Sequence, residues 1–348
     1  MMHCCINCFV DGYLQDIILK LGTTGDCDYC KAKDVPVYDI SGTDEISEKI
    51  RRLIQIYEPS TRDNARFLWE SLKDEWQIFN GEQNQIQALL ADLCSQEMEK
   101  ADKLFVQKVE IPEMCDTDYL SEYGVVSGTT WNVFSEQLKY NNRFHNNLFN
   151  ADAFASFLSI AVDYCKPKSL FFRARICPNK KGFTKEEMGA PPKGLRRAGR
   201  INPDEIPVLY LSNDEETIIY EVRANVYDYV SVGTFQNKRE LKLINLSCLS
   251  KLSPFQYEGD DLKQFAINRT VFSDIATDIA KPMRRSDTPL EYLPTQFISE
   301  FVKSQHYDGV KYRSTIGSGY NIALFNEEDV ECIHVKNIEI KDVKYFTT

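Results

Sequence analysis

No window of the sequence reaches the roughly 18 uncharged apolar residues that a membrane span needs. The start, MMHCCINCF, has no basic segment leading into an apolar one, so it does not read as an export signal. These two absences predict a cytoplasmic protein. Positive charge is also short: 41 Lys and Arg stand against 52 Asp and Glu, a formal net charge of −11. That balance argues against an extended nucleic-acid surface, because backbone phosphates demand clustered Lys and Arg. A basic partner protein, or a small anion held in a local pocket, stays compatible with it. Internal repeats and low-complexity tracts are absent as well.

What is present is length and cysteine. At 348 residues, and roughly 150 residues per domain, two or three units are expected, each able to bury a core. Eleven cysteines without an export signal point to a reducing compartment, where clustered thiols are better read as metal ligands than as disulfides. Cys5 and Cys8, then Cys27 and Cys30, form two C-x-x-C pairs with the spacing of a four-thiolate structural zinc site. A closed site of that kind serves folding, not chemistry. Cys4, beside Cys5, leaves the choice of ligand open at this point, and a helix and turn that merely contain cysteines is the plainer reading.

From about 44 to 164 apolar positions recur every three to four residues, in EISEKIRRLIQIY, TRDNARFLWESLKDEWQIF, QNQIQALLADL, TWNVFSEQLKY and DAFASFLSIAVDYC. This reads as a helical bundle. His145 with Arg143 invites comparison with a nuclease pair, but no second base lies nearby, and a surface histidine fits better. After CKPKS the chain turns strand-like, in LFFRARI, IPVLYLS, YDYVSVGTF, LKLINLS, GVKYRS, NIALF and CIHVKNIEI. Helices are expected at 213–223, about 260–280 and 294–305. Ser212, with Glu215 three residues on, reads as a capping box that starts the first of these.

Within the strand-rich half four residues have complementary chemistry. Arg173, on an apolar strand, can bind a phosphate bidentately. Tyr210 offers an aromatic face, Glu221 a carboxylate eleven residues later, and Ser314 a short hydroxyl. Taken singly each has a plain alternative: an ion pair for Arg173, with Arg175 competing on the same face, packing for Tyr210, a solvated helix position for Glu221, a loop hydroxyl for Ser314.

Their order and surroundings resemble the RES domain family, named after its arginine, glutamate and serine. The resemblance runs from about 168 to 346 and rests on LFFRARI, on GRINPDEIPVLYLSNDEETIIYEVR (Gly199 to Arg223) and on YLPTQFISEFVKSQHYDGVKYRSTIGSGYNIALF (Tyr292 to Phe325). It implies catalytic roles for Tyr210, Glu221 and Ser314, and binding roles for Arg173, Arg200, Asn202, Gln296 and Asn321. Ile201 stands where an aromatic is common in the family. The implied fold is similar to the ADP-ribosyltransferases, and the implied activity consumes NAD by hydrolysis, phosphorolysis or ADP-ribosyl transfer. Cleavage needs a cation for the pyrophosphate, a flat surface for nicotinamide, a carboxylate near the anomeric carbon and a polar group for the ribose. Many members are bacterial toxins restrained by an Xre-type antitoxin.

The first half resembles a HEPN-like region that precedes RES domains, through CxxCF at Cys5 to Phe9 and GDCDYC from Gly25 to Cys30. The Arg-to-His spacing of HEPN ribonucleases is missing, so no ribonuclease activity is implied. The expected architecture is α+β: a cysteine module over 1–40, a helical HEPN-like domain over 41–166 and an ADP-ribosyltransferase-like RES domain over 167–348. The expected function is an NAD-degrading enzyme that cleaves the nicotinamide–ribose bond, with structural zinc and self-association through the helical region. Mono-ADP-ribosylation of a target, and a zinc-stabilised protein that only binds nucleotide, are the alternatives.

Overall fold

The structure is a computed structural model and describes residues 2–41, 45–95, 102–249, 251–281 and 288–343. It divides into two compact units: Met1–Gly124 with Leu252–Asn268, and Val125–Lys251 with Arg269–Thr348. The fold is α+β, as expected.

The first unit is not the helical bundle that its periodicity suggests. Strands β1 (His3–Cys5), β2 (Thr24–Gly25) and β3 (Val35–Asp39) form one small antiparallel sheet, in the order β1–β3–β2. Strands β4 (Glu58–Pro59), β5 (Arg66–Phe67) and β6 (Lys108–Glu110) form another. Helices fill the rest where the pattern is strictly amphipathic. Glu45–Ile54 buries Ile46, Ile50, Leu53 and Ile54, and Gln83–Leu93 buries Ile86, Leu89, Leu90 and Leu93. The segment 61–79 departs from the expected long helix. Pairing of Arg66–Phe67 with β6 claims its first part. The chain then makes a short helix, Leu68–Glu70, and a wide turn over Ser71–Glu75, stopped by Gln77 at a left-handed φ of 54°. The apolar spacing still does its work, burying Leu68, Leu72 and Trp76.

The second unit is built on an eight-stranded mixed sheet. Its strands are β7 (Val162–Cys165), β8 (Leu170–Cys177), β9 (Leu209–Ser212), β10 (Tyr229–Asn237), β11 (Leu241–Asn245), β12 (Gly309–Arg313), β13 (Tyr320–Leu324) and β14 (Val330–Glu339). The order is β14–β10–β8–β9–β13–β12–β11–β7. Only β11 and β12 run parallel, and a long connection joins them. Phe171, Leu209, Leu211, Phe235, Leu243, Ile322 and Leu324 build one buried cluster. Ala174, Val230 and Val232 form a second, with Ile218 of the helix Glu215–Glu221 packed against them. At Gly309 an added Cβ would collide with the Ala323 carbonyl, so glycine permits the close β12–β13 approach.

The units do not follow the expected boundaries at 40 and 166. Residues 125–166 join the sheet because their aromatic side chains pack on the helix Leu293–Ser304: Phe134 and Phe149 lie 5.3 and 4.9 Å from Phe297, and Phe154 lies 5.6 Å from Phe301, between ring centroids. The helix expected over 152–165 stops at Leu158, and Val162–Cys165 becomes edge strand β7 against β11. Strand pairing there overrides the helical period.

Candidate active site

Between β8 and β9 the sheet pairs at a single position, Phe172 with Ser212. Where the ladder is missing, the Arg173 side chain substitutes for it, its Nη1 donating to the Tyr210 carbonyl at 3.1 Å. A cavity of about 550 Å³ opens here, lined by Arg173, Arg200, Asn202, Tyr210, Glu221, Tyr312 and Asn321 among others.

Glu221 is the last residue of the helix Glu215–Glu221. The start of that helix differs from expectation. Asp214, not Ser212, is the cap, its Oδ2 accepting from the Thr217 N–H at 2.7 Å. Ser212 instead donates to the Tyr320 carbonyl across β9–β13. The turn after β12 then docks on the helix start. Gly319 N–H donates to Thr217 Oγ1 at 3.1 Å, and Tyr320 N–H to Asn213 Oδ1 at 2.7 Å. Gly317 has to be glycine for this, because a Cβ would strike the Thr217 side chain.

Ser314 of that turn and Asn321 of β13 bring two donors to one carboxylate oxygen. Ser314 Oγ donates to Glu221 Oε1 at 2.8 Å and Asn321 Nδ2 donates to the same atom at 2.7 Å. Ser314 Oγ also accepts from the N–H groups of Ile316 (3.2 Å) and Gly317 (3.1 Å). Its hydroxyl is thus spent on aligning Glu221, and Ser314, 3% exposed, is not part of the cavity wall. These bonds tie Ser314 to Glu221 and to its own turn. Glu221 Oε2 has no protein partner among the described residues.

The remaining expected residues divide in two. Arg173, Tyr210, Arg200 and Asn321 all line the cavity. Burial, and then Arg175 nearby, push the Arg173 guanidinium down to about 10, opposed in part by Glu327 and Tyr210. Its Nε is buried without a hydrogen-bond partner, and so is Asn321 Oδ1. Burial likewise raises the Tyr210 phenol, against the lowering effect of backbone donors at Ile201 and Asn202 and of Arg173. Asn202, also on the wall, and Gln296 are both bonded to other protein groups. Asn202 Oδ1 accepts from Tyr210 Oη at 2.7 Å, while its Nδ2 serves the carbonyls of Arg197, Pro203 and Ile206. Gln296 lies behind the wall, donating to the carbonyls of Gly199 (2.7 Å) and Asn202 (3.0 Å). Ile201 is buried and also off the wall.

The structure adds residues that sequence reasoning missed. Tyr312, its phenol pushed well up by burial, lines the cavity with Ile279, Ala280 and Lys281. Arg197, Arg223 and Arg313 do so too. Arg313 and Tyr312 directly precede Ser314 in KYRS, which was the one available signal. The cavity therefore carries five arginines and Lys281 against the single carboxylate of Glu221, a local positive field in an acidic protein.

A family model described as RES domain matches residues 171–346, half of the chain. The chain belongs to the RES family. Arg173, Glu221 and Ser314, the residues expected from the resemblance, come together in the structure: Arg173 and Glu221 line the cavity, and Ser314 bonds to Glu221. No curated protein matches the sequence. Among solved structures, one that is similar is described as the crystal structure of the M. tuberculosis MbcT–MbcA toxin–antitoxin complex. It shares 10% identity over 53% of this chain and 91% of that one, with a TM-score of 0.31, too loose a likeness to transfer chemistry.

In the first unit, Cys5, Cys8, Cys27 and Cys30 form a cluster able to hold a metal ion, all sulfurs within 4.8 Å of one another. Cys5–Cys8, Cys5–Cys30 and Cys8–Cys27 separations are 3.9, 3.3 and 3.5 Å. A tetrahedron with metal–sulfur bonds of about 2.3 Å has edges of about 3.8 Å, so the donor set fits zinc. The Cys30 N–H donates to Cys27 Sγ, as thiolate knuckles require. Burial pushes the Cys5 thiol up to about 12 and Cys8 further, whereas at Cys27 burial is outweighed by the N–H groups of Cys30 and Tyr29, which bring that thiol down. Cys4 is buried but outside the cluster.

Proposed function

We propose that the RES site cleaves the nicotinamide–ribose bond of NAD. The observation that carries the reading is the Glu221 carboxylate, locked through one oxygen by Ser314 and Asn321 and left with the other in a cation-lined cavity. The C1′–N bond breaks and its electron pair leaves with nicotinamide, which becomes neutral. The ribosyl cation forms beside Glu221, whose fixed charge stabilises it without reorganisation. Water adds its oxygen to C1′ and loses a proton, so NAD and water give nicotinamide, ADP-ribose and a proton.

Arg173 binds the pyrophosphate. Its buried, unpartnered Nε is a deficit of about 1–3 kcal/mol that a phosphate oxygen would cancel. Asn321 Oδ1, equally unpartnered, takes a ribose hydroxyl, and Tyr210 offers its ring to nicotinamide, held in place by Asn202. This is the division of labour that an ADP-ribosyltransferase-like fold would use. The four-cysteine cluster binds structural zinc and stabilises the N-terminal, HEPN-like region, with no part in the chemistry. Membership of the RES family supports a cytoplasmic toxin restrained by an antitoxin, of Xre type by the resemblance, and self-association through the N-terminal helices belongs to the same reading.

The test is incubation of the purified chain, freed of any inhibitor, with labelled NAD. Free nicotinamide with ADP-ribose supports the reading; an ADP-ribose 1′-phosphate product or a labelled macromolecule would move the acceptor from water to phosphate or to a target. Intact NAD would refute it.

A further inference from the structure

Five of the chain's 16 arginines line one cavity, which is more cation than NAD needs. NAD brings two negative charges on its pyrophosphate and one positive on its pyridinium. Arg173 answers the pyrophosphate, Arg200 donates to the Asp278 carbonyl and sits 5.2 Å from the Tyr292 ring centroid, and Lys281 pairs with Asp278. That leaves Arg197, Arg223 and Arg313, none of whose guanidinium groups bonds or pairs with another protein group among the described residues. Among the described residues these three exposed arginines around one cavity carry charge that an incoming anion can neutralise.

Arg223 supplies an independent sign. It occupies the position just past the C-cap of the helix Glu215–Glu221, with a left-handed φ of 52°. Glycine is the usual residue there, because a side chain strains this conformation. Seven other non-glycine residues share such a φ, but among them Arg223 lines the cavity. A cation at a helix C-terminus also suits the macrodipole, but that alone does not require it to reach the cavity. Arg313 is placed as firmly, its N–H held by Ser247 Oγ at 2.8 Å next to Ser314.

We propose that Arg197, Arg223 and Arg313 bind a third phosphate, a monoester on the dinucleotide's second ribose, so that the site prefers NADP to NAD. The inference rests on the cleavage reading above and extends it to substrate choice. A phosphate monoester adds about −1.5 to −2 of charge and three acceptor oxygens, matched to guanidinium forks. The bond broken is the same: NADP and water give nicotinamide, 2′-phospho-ADP-ribose and a proton.

The experiment measures nicotinamide release by the full chain from NAD and from NADP in phosphate-free buffer. It is repeated for Arg197→Gln, Arg223→Gln and Arg313→Gln, and with inorganic phosphate added to NAD. A kcat/KM for NADP about ten-fold or more above that for NAD is expected, on the scale of charge-assisted contacts to a phosphate. The ratio should fall towards one in the variants and shrink as salt is raised. Calorimetric binding of both dinucleotides to Glu221→Gln reads the same preference without turnover. Equal or better use of NAD, or stimulation of NAD cleavage by free phosphate with no preference for NADP, overturns the inference and leaves NAD cleavage standing. If neither dinucleotide is bound or cleaved, both readings fall.

Discussion

Replacing Ser314 by alanine removes the donor that reaches Glu221 Oε1 at 2.8 Å and leaves Asn321 to hold the carboxylate alone. A hydrogen bond to a charged group is worth about 1.5–3 kcal/mol, and the site is buried, with Ser314 3% exposed. If that whole alignment is needed in the transition state, kcat falls by about 10- to 150-fold. Because the serine does not line the cavity, NAD affinity should change little. The stronger test is a double-mutant cycle. Should Ser314 act only through Glu221, then Ser314→Ala costs almost nothing once Glu221→Gln has removed the charge being aligned. Rates of nicotinamide release and a separate NAD binding measurement for the four proteins decide it. A Ser314→Ala loss of the same size in both backgrounds would mean that the hydroxyl touches the substrate itself, and the positioning role would be wrong.

Other consequences are as open to measurement. Tyr210→Phe deletes the donor to Asn202 Oδ1 and strands a buried acceptor, so the second unit should lose about 1–3 kcal/mol. Denaturant unfolding should show a lower midpoint at an unchanged slope; an unchanged midpoint would contradict the bond. Purified protein should contain stoichiometric zinc, and Cys8→Ser should lose it and lower the Tm, while Cys4→Ser, outside the cluster, should keep the metal. Equal metal content in the two variants would argue against the four-thiolate site.

The second unit is largely legible because its strands are short apolar runs bounded by turn residues, and the structure places β8, β10 and β11 almost where LFFRARI, YDYVSVGTF and LKLINLS suggest. The helices Glu45–Ile54, Gln83–Leu93 and Trp131–Tyr140 are legible for a different reason, a clean apolar stripe. Segment 61–79 misleads because its apolar spacing survives in a backbone that begins as a strand and ends as a wide turn. Spacing reports which side chains are buried, not which hydrogen bonds the backbone makes. The compact units divide the chain elsewhere than at 40 and 166 because contacts such as Phe149 with Phe297 join residues far apart in the chain. At the site, the resemblance points to Arg173, Glu221 and Ser314, but it cannot say that Ser314, Asn202 and Gln296 bond to other protein groups. Arg197, Arg223 and Arg313 are invisible for the reverse reason: each looks like an ordinary surface cation until the fold gathers them around one cavity.

The central claim is that a fixed carboxylate at Glu221 stabilises charge on the ribose as nicotinamide leaves. Nicotinamide release from NAD by the parent chain and by Glu221→Gln tests it most directly. Loss of a transition-state electrostatic contact of this kind predicts a rate lower by roughly two to four orders of magnitude, with NAD binding retained. A Glu221→Gln protein that releases nicotinamide as fast as the parent would contradict it.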